Sequence, residues 1–219
     1  MDLHILNTAD SYWRMIEASD EQTREQIFRQ EIAEPFEALI PIFGGGSDMM
    51  VAFAQWGMSP AQFDPGKADT ITVLLDTLAK HDAWQRSEQA LQKVRDVFSA
   101  YTAQIPIEKV VFGLFYAEMP FDLMNAGYNG FGAFPGYVMV LYNRATEQNL
   151  RGLEAIVAHE VHHNIAAATK TLTPHGINPM FMTVGQYLVV EGLAEAFAAE
   201  LYGEENLGAW TLEFDDAKL

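Results

Sequence analysis

The sequence predicts an α+β protein, mostly helical, with a small antiparallel or mixed β-sheet ahead of one histidine-rich helix. Three observations carry that prediction. Apolar residues spaced for helices run through roughly the first hundred positions. The pattern then switches to β-branched and aromatic runs, KVVFGLFYA at 109–117 and GYVMVLYN at 136–143. Helical patterning returns from Thr146 onward, so helices, a small sheet and helices follow one another.

Taken in order, residues 8–40 read as helix, with Ile16, Ile27, Ile32, Phe36 and Leu39 as apolar anchors. GGGSD at 44–48 breaks it, a short helix is expected near 48–56, and GMSPAQFDPGKAD reads as a turn. Two more helices are expected over 70–82 and 86–104, the second with Leu91, Val94, Phe98 and Tyr101 on one stripe. Between the two β-rich runs, the glycines, prolines and asparagines of EMPFDLMNAGYNGFGAFP mark turns, giving two or three strands in all. A helix near 147–169, the loop TKTLTPHGINP and a helix near 180–202 that stops at Gly203 complete the chain. This divides it into a helical region, 1–104, and a sheet with two helices, 105–219, within one compact domain overall.

Composition narrows the function. Thirty acidic residues face 13 basic ones, for a formal charge of −17, and such a surface repels phosphate backbones; nucleic acid is not an expected partner. With no cysteine, disulfides, thiol catalysis and thiolate ligands are excluded. The start, MDLHILNTADSYWRM, has neither a basic lead nor a sustained apolar run, and no stretch is apolar enough to span a bilayer, so a cytoplasmic protein is expected.

The chemistry concentrates in VAHEVHH, 157–163, which holds three of the six histidines. His159, Glu160 and His163 fit the pattern H-E-x-x-H. At about 100° per residue, His159, His163 and Glu160 share one arc, while Leu150, Val157, Val161 and Ile165 fall opposite. Two imidazoles one helical turn apart can share a zinc ion, and the adjacent glutamate stays free to take a proton from water on the metal. The segment therefore reads as a zincin-like active-site helix. Without cysteine the third ligand must be sought elsewhere, and VVEGLAEAFAAE supplies Glu191 and Glu195 on one helical face. Glu191 reads as the third ligand and Glu195 as the carboxylate that accepts the spare N–H of His159.

Other residues take supporting readings. Gly192, Ala198 and Ala199 are small enough to let the two helices approach closely. Tyr187, one turn before Glu191, and His175, in the intervening loop, are candidates to stabilise a transition-state oxyanion. His162 lies at the edge of the arc, as a residue behind the ligands or at the surface; His4 and His81 are expected to be structural or exposed. GYVMVLYN, directly ahead of the motif helix, is the candidate strand for adding a peptide substrate edge to edge. A merely solvated polar face would explain the apolar stripe but not two carboxylates inside an otherwise apolar helix. Two rival readings keep the same residues: a non-catalytic zinc-stabilised interaction module or inactive protease homologue, and a metal-free helical binding protein.

IVAHEVHHN together with VVEGLAEAF resembles the bacterial YjaZ-like predicted Zn-dependent proteases, of gluzincin type, closely over 156–200 and more loosely through GYNGFGAFPGYVMVLYN. The resemblance implies zinc held by His159, His163 and Glu191, with Glu160 as general base, Glu195 behind the ligands, and a peptide or protein substrate. Relatives continue with a Gly/Tyr-containing helical segment, whereas this chain ends at EFDDAKL soon after Trp210, as a short copy or a cut C-terminus would.

Overall fold

The computed structural model describes residues 1–43, 48–118, 127–170, 177 and 182–208. The chain opens with a strand, β1 (Asp2–Ile5), and runs into α1 (Thr8–Glu17), where the Asn7 side chain accepts from the Asp10 amide. The helix expected over 8–40 is interrupted. Asp20 caps a new helix, α2 (Glu21–Ile27), which loosens through a π-helical turn at Phe28–Ala33 and then tightens through a 3-10 turn at Glu34–Leu39 before α3 (Ile40–Phe43). Pro35 near the start of that 3-10 turn lacks an amide hydrogen, which explains part of the irregularity. Then follow α4 (Met49–Gln55), α5 (Asp69–Lys80) and α6 (Ala83–Val97), close to expectation except that α6 ends earlier and gives way to a 3-10 turn at Ser99–Tyr101.

Among the described residues the sheet has four strands and is mixed. β2 (Lys109–Tyr116), β3 (Tyr128–Phe134) and β4 (Tyr137–Tyr142) join β1 in the order β1-β2-β4-β3. β1 and β4 flank β2 in parallel, and β3 runs antiparallel to β4. Two features were not expected from sequence. The N-terminal region supplies the edge strand β1, and β3 lies inside the stretch read as turns. GFGAF is a strand whose alternating glycines need close neighbours on one face. The hairpin closes at Gly136, whose φ of +87° is left-handed and open to glycine at little cost.

β2 and β4 are buried on both faces, as parallel strands between two layers are. On one face the N-terminal helices bring Phe36 and Phe53 against Phe115, with ring centroids 5.6 and 6.1 Å apart. On the other lies the chain's chemical segment: α7 (Glu147–Arg151), a break at Gly152, and α8 (Leu153–Thr169), which packs on β3, β4 and α6. α9 (Val184–Tyr202) packs on α8 and stops at Gly203, φ +89°. One buried cluster spans Leu6 to Ile165, drawing on both halves of the chain. No helix among the described residues is long and apolar enough to cross a membrane.

Candidate metal centre

α8 differs from the two-faced helix the wheel suggests. It is buried around nearly its whole girth, including His159, Glu160 and His163, because apolar LEAIVA and IAAA segments flank the polar cluster and sheet, α6 and α9 enclose it. Thr146 and Asn149 form a capping box that starts α7, and Arg86 of α6 grips Glu154 in α8's first turn, with Nε 2.7 Å from Oε1. Thr183 and Gln186 form a second capping box that starts α9.

α9 touches α8 through Val190, Ala194 and Ala198, each one helical turn from the next. The alanines permit the close approach. Gly192 does not contribute, since a Cβ there would meet nothing within 4 Å; it faces solvent, which corrects the role expected for it. Ala198 is buried as expected.

This approach brings Glu191 to the two imidazoles. Glu191 Oε2 is 3.2 Å from His159 Nε2 and 3.3 Å from His163 Nε2, and the three atoms lie within 4.8 Å of one another. The rings of His159 and His163 stand edge to face at 4.5 Å. Two ligands each about 2.0–2.1 Å from a tetrahedral zinc lie about 3.3 Å apart, so both nitrogen–oxygen separations fit the edge of a zinc tetrahedron. The donor set, two imidazoles and a carboxylate, is also the one zinc accepts when thiolates are absent. Behind the cluster, Glu195 Oε1 is 3.5 Å from His159 Nδ1, on the far side of the ring from Glu191.

Glu160 is buried, with Oε1 4.0 Å from His159 Nε2. Burial pushes its carboxyl up, and the charges of Glu191 and Glu195 add to this against the pull of the two histidines. Glu191 moves the other way: burial alone would raise it, but its hydrogen bonds to His159 and His163 and their charge hold it well below the carboxylate range. For His159 burial disfavours the charged form, yet Glu191, Glu160 and Glu195 outweigh it and the imidazole is raised. Tyr187 is half exposed and its hydroxyl is raised by burial, then by the charge of Glu191 and a hydrogen bond to it.

His162 takes no part in this convergence. Its ring packs on Phe197 at 5.5 Å, and burial first, then His163 and His159, lower it to about 4. His4 and His81 are exposed. His175 and Trp210 lie outside the described residues. GYVMVLYN cannot accept an added strand: as β4 it is hydrogen-bonded to β2 on one side and β3 on the other. The edge beside the cluster belongs to β3, which among the described residues pairs only with β4.

Three residues that shape the site were not singled out from sequence. A Cβ on Gly130 would sit 2.1 Å from Glu160 Oε1, and one on Gly132 would sit 1.9 Å from the Glu160 carbonyl oxygen. Their alternation in NGFGAF was the available signal for one strand face pressed against another backbone. Asn164, next to His163, is buried and ties α8 to the β3–β4 hairpin. Its Oδ1 accepts from the Gly136 amide at 2.8 Å, and its Nδ2 lies 3.0, 2.6 and 2.8 Å from the carbonyls of Gly132, Phe134 and Tyr137.

Comparison with known proteins bears on this arrangement. A family model described as "Predicted Zn-dependent protease (DUF2268)" matches residues 83–219, which include α8 and α9. The chain is similar to the "Uncharacterized protein YjfC" of Bacillus subtilis (strain 168), 32% identical over 229 residues, covering 100% of this chain and 72% of that protein. No solved structure matches significantly.

Proposed function

This chain belongs to the predicted Zn-dependent protease family, and from that premise we propose that it is a zinc-dependent metallopeptidase of gluzincin type. The observation that carries the reading is the convergence of His159 Nε2, His163 Nε2 and Glu191 Oε2 within 4.8 Å beside a buried glutamate. His159, His163 and Glu191 would hold the ion, and Glu195 would accept the His159 Nδ1–H, fixing the tautomer that leaves Nε2 free as a donor atom. Zinc held there supplies a Lewis acid that makes a water nucleophilic near neutral pH and polarises a substrate carbonyl.

The side chains do the rest. Glu160 takes the proton of the attacking water and passes it to the leaving amine; burial keeps its carboxyl basic enough to accept it. The Tyr187 hydroxyl, beside Glu191 and partly open to solvent, is the donor for the developing oxyanion. His162 supports the ligand helix by packing on Phe197. The open edge of β3 offers backbone groups for an extended peptide.

The test is hydrolysis of casein and quenched peptides by zinc-loaded chain, with and without chelator, alongside Glu160→Gln. Turnover is expected to vanish in that variant while about one zinc per chain remains bound. Full activity in the variant, or in the presence of chelator, overturns the reading.

A further inference from the structure

Helices in a folded chain usually turn their apolar side inward, and α9 does so only in part. Val184, Tyr187, Leu188, Val189 and Leu193 all face solvent, Val184 at 77% and Leu188 at 65% exposure. Exposed apolar side chains grouped on one face of a helix mark a place where something binds.

The exposed residues divide into two groups by angle. With Glu191 at zero and about 100° per residue, Val184, Tyr187 and Leu188 fall within about 60° of it, whereas Val189 and Leu193 fall about 160° away. The first group thus continues the face that carries Glu191 to His159 and His163. Tyr187 is in contact with Glu191 itself. From Glu191 back to Val184 the helix rises about 10 Å. An extended peptide covers that distance with about three residues.

We infer that Val184, Tyr187 and Leu188 form an apolar docking strip for about three consecutive apolar residues on one side of the bond to be cut, so the substrates are apolar peptides with basic flanks. This rests on the peptidase reading above. The occupant follows from two facts: the strip adjoins the reacting groups, and a chain of net charge −17 attracts cationic and repels acidic partners. A peptide laid along the strip places its backbone beside the metal ligands, while its side chains meet Leu188 and Val184.

Binding is read without turnover, on zinc-loaded Glu160→Gln chain. Fluorescence anisotropy compares a short dye-labelled peptide carrying three leucines between lysines with its counterpart carrying three serines, and with a leucine peptide flanked by glutamates. The leucine–lysine peptide is expected to bind at least about tenfold more tightly than either. Adding Val184→Asp and Leu188→Asp is expected to weaken it by about tenfold or more. Val189→Asp and Leu193→Asp, on the opposite side of α9, should leave its affinity unchanged. Equal binding of leucine and serine peptides, or loss in the Val189/Leu193 pair instead, overturns the inference. So does sedimentation showing a dimer that Val184→Asp and Leu188→Asp dissolve without altering peptide affinity, since the strip would then join two copies. Hydrolysis is measured separately on the unsubstituted chain, so failure of the peptidase reading and failure of the strip are told apart.

Discussion

The contact between β3 and α8 yields the sharpest prediction. Gly132 has no side chain because the Glu160 carbonyl oxygen occupies the space: an added Cβ would lie 1.9 Å from it. Both partners are backbone, one in β3 where its register against β4 shifts and one inside a buried helix, and neither can swing away as a side-chain tip can. Gly132→Ala therefore forces the two elements apart by about 1.5 Å to reach ordinary contact, an overpacking that costs about 3 kcal/mol, the upper end for small-to-large changes. For a domain of this size that lowers the melting temperature by about 6–12 °C. Gly130→Ala is different in kind, because its contacts, 2.1 Å to Oε1 and 2.6 Å to Cγ of Glu160, are to a side chain rather than to backbone. That carboxylate can swing away, so melting should fall less, while turnover should drop by about a hundredfold or more if Glu160 is the base. Differential scanning calorimetry on both variants, with peptide hydrolysis on the second, decides it. A Gly132→Ala chain melting within about 2 °C of the parent would falsify the packing argument.

Two further perturbations follow from the same neighbourhood. Asn164→Ala strips the hairpin carbonyls of their donor and the Gly136 amide of its acceptor; with each buried orphan worth about 1–3 kcal/mol, urea denaturation should register a loss of at least about 2 kcal/mol, and an unchanged midpoint would refute the clamp. Zinc affinity, measured by chelator competition from pH 8 to 6, should already decline above the ordinary histidine range, because the raised His159 holds its proton there and must release it to bind metal; a flat profile contradicts this. For the metal-free chain the signs differ by group. Stability from His159 is complete below the ordinary imidazole value and lost as pH rises through its raised folded value, whereas that from Glu191 is complete above the ordinary carboxylate value and lost as pH falls through its depressed one.

Local sequence made the geometry of the candidate ligands legible because helices impose fixed spacing. His159 and His163 are one turn apart in any α-helix, and Glu191 and Glu195 likewise, so a cluster needed only that α8 and α9 meet. Where they meet was not legible: the contact runs through Val190, Ala194 and Ala198, and Gly192, equally small, points outward. Partners distant in the chain were hidden for the same reason. DLHI at the N-terminus is too short to announce a strand, and becomes β1 only because β2 offers it an edge. NGFGAF carries turn-forming residues, and its strand character comes from β4 on one side and the backbone of Glu160 on one face. Asn164 had no periodicity to betray it; its meaning lies in four backbone groups about 30 residues away or less.

The charge balance of the cluster points the same way as its distances. Glu160, buried, and Glu191 and Glu195, both half-buried, converge on two imidazoles, and carboxylates in excess of positive partners are costly where water is scarce. The chain answers that excess in the one way open to side chains alone: His159 and Glu160 are both raised, each favouring an added proton, while Glu191 stays charged between the histidines. A divalent ion among Nε2, Nε2 and Oε2 would offset the same charge and make those protons unnecessary. Metal binding should then release protons, and calorimetric titration with zinc near pH 7 in buffers of differing ionisation enthalpy counts them directly. Heat independent of the buffer would mean that His159 was already neutral, and that the charge excess is not what prepares this site for an ion.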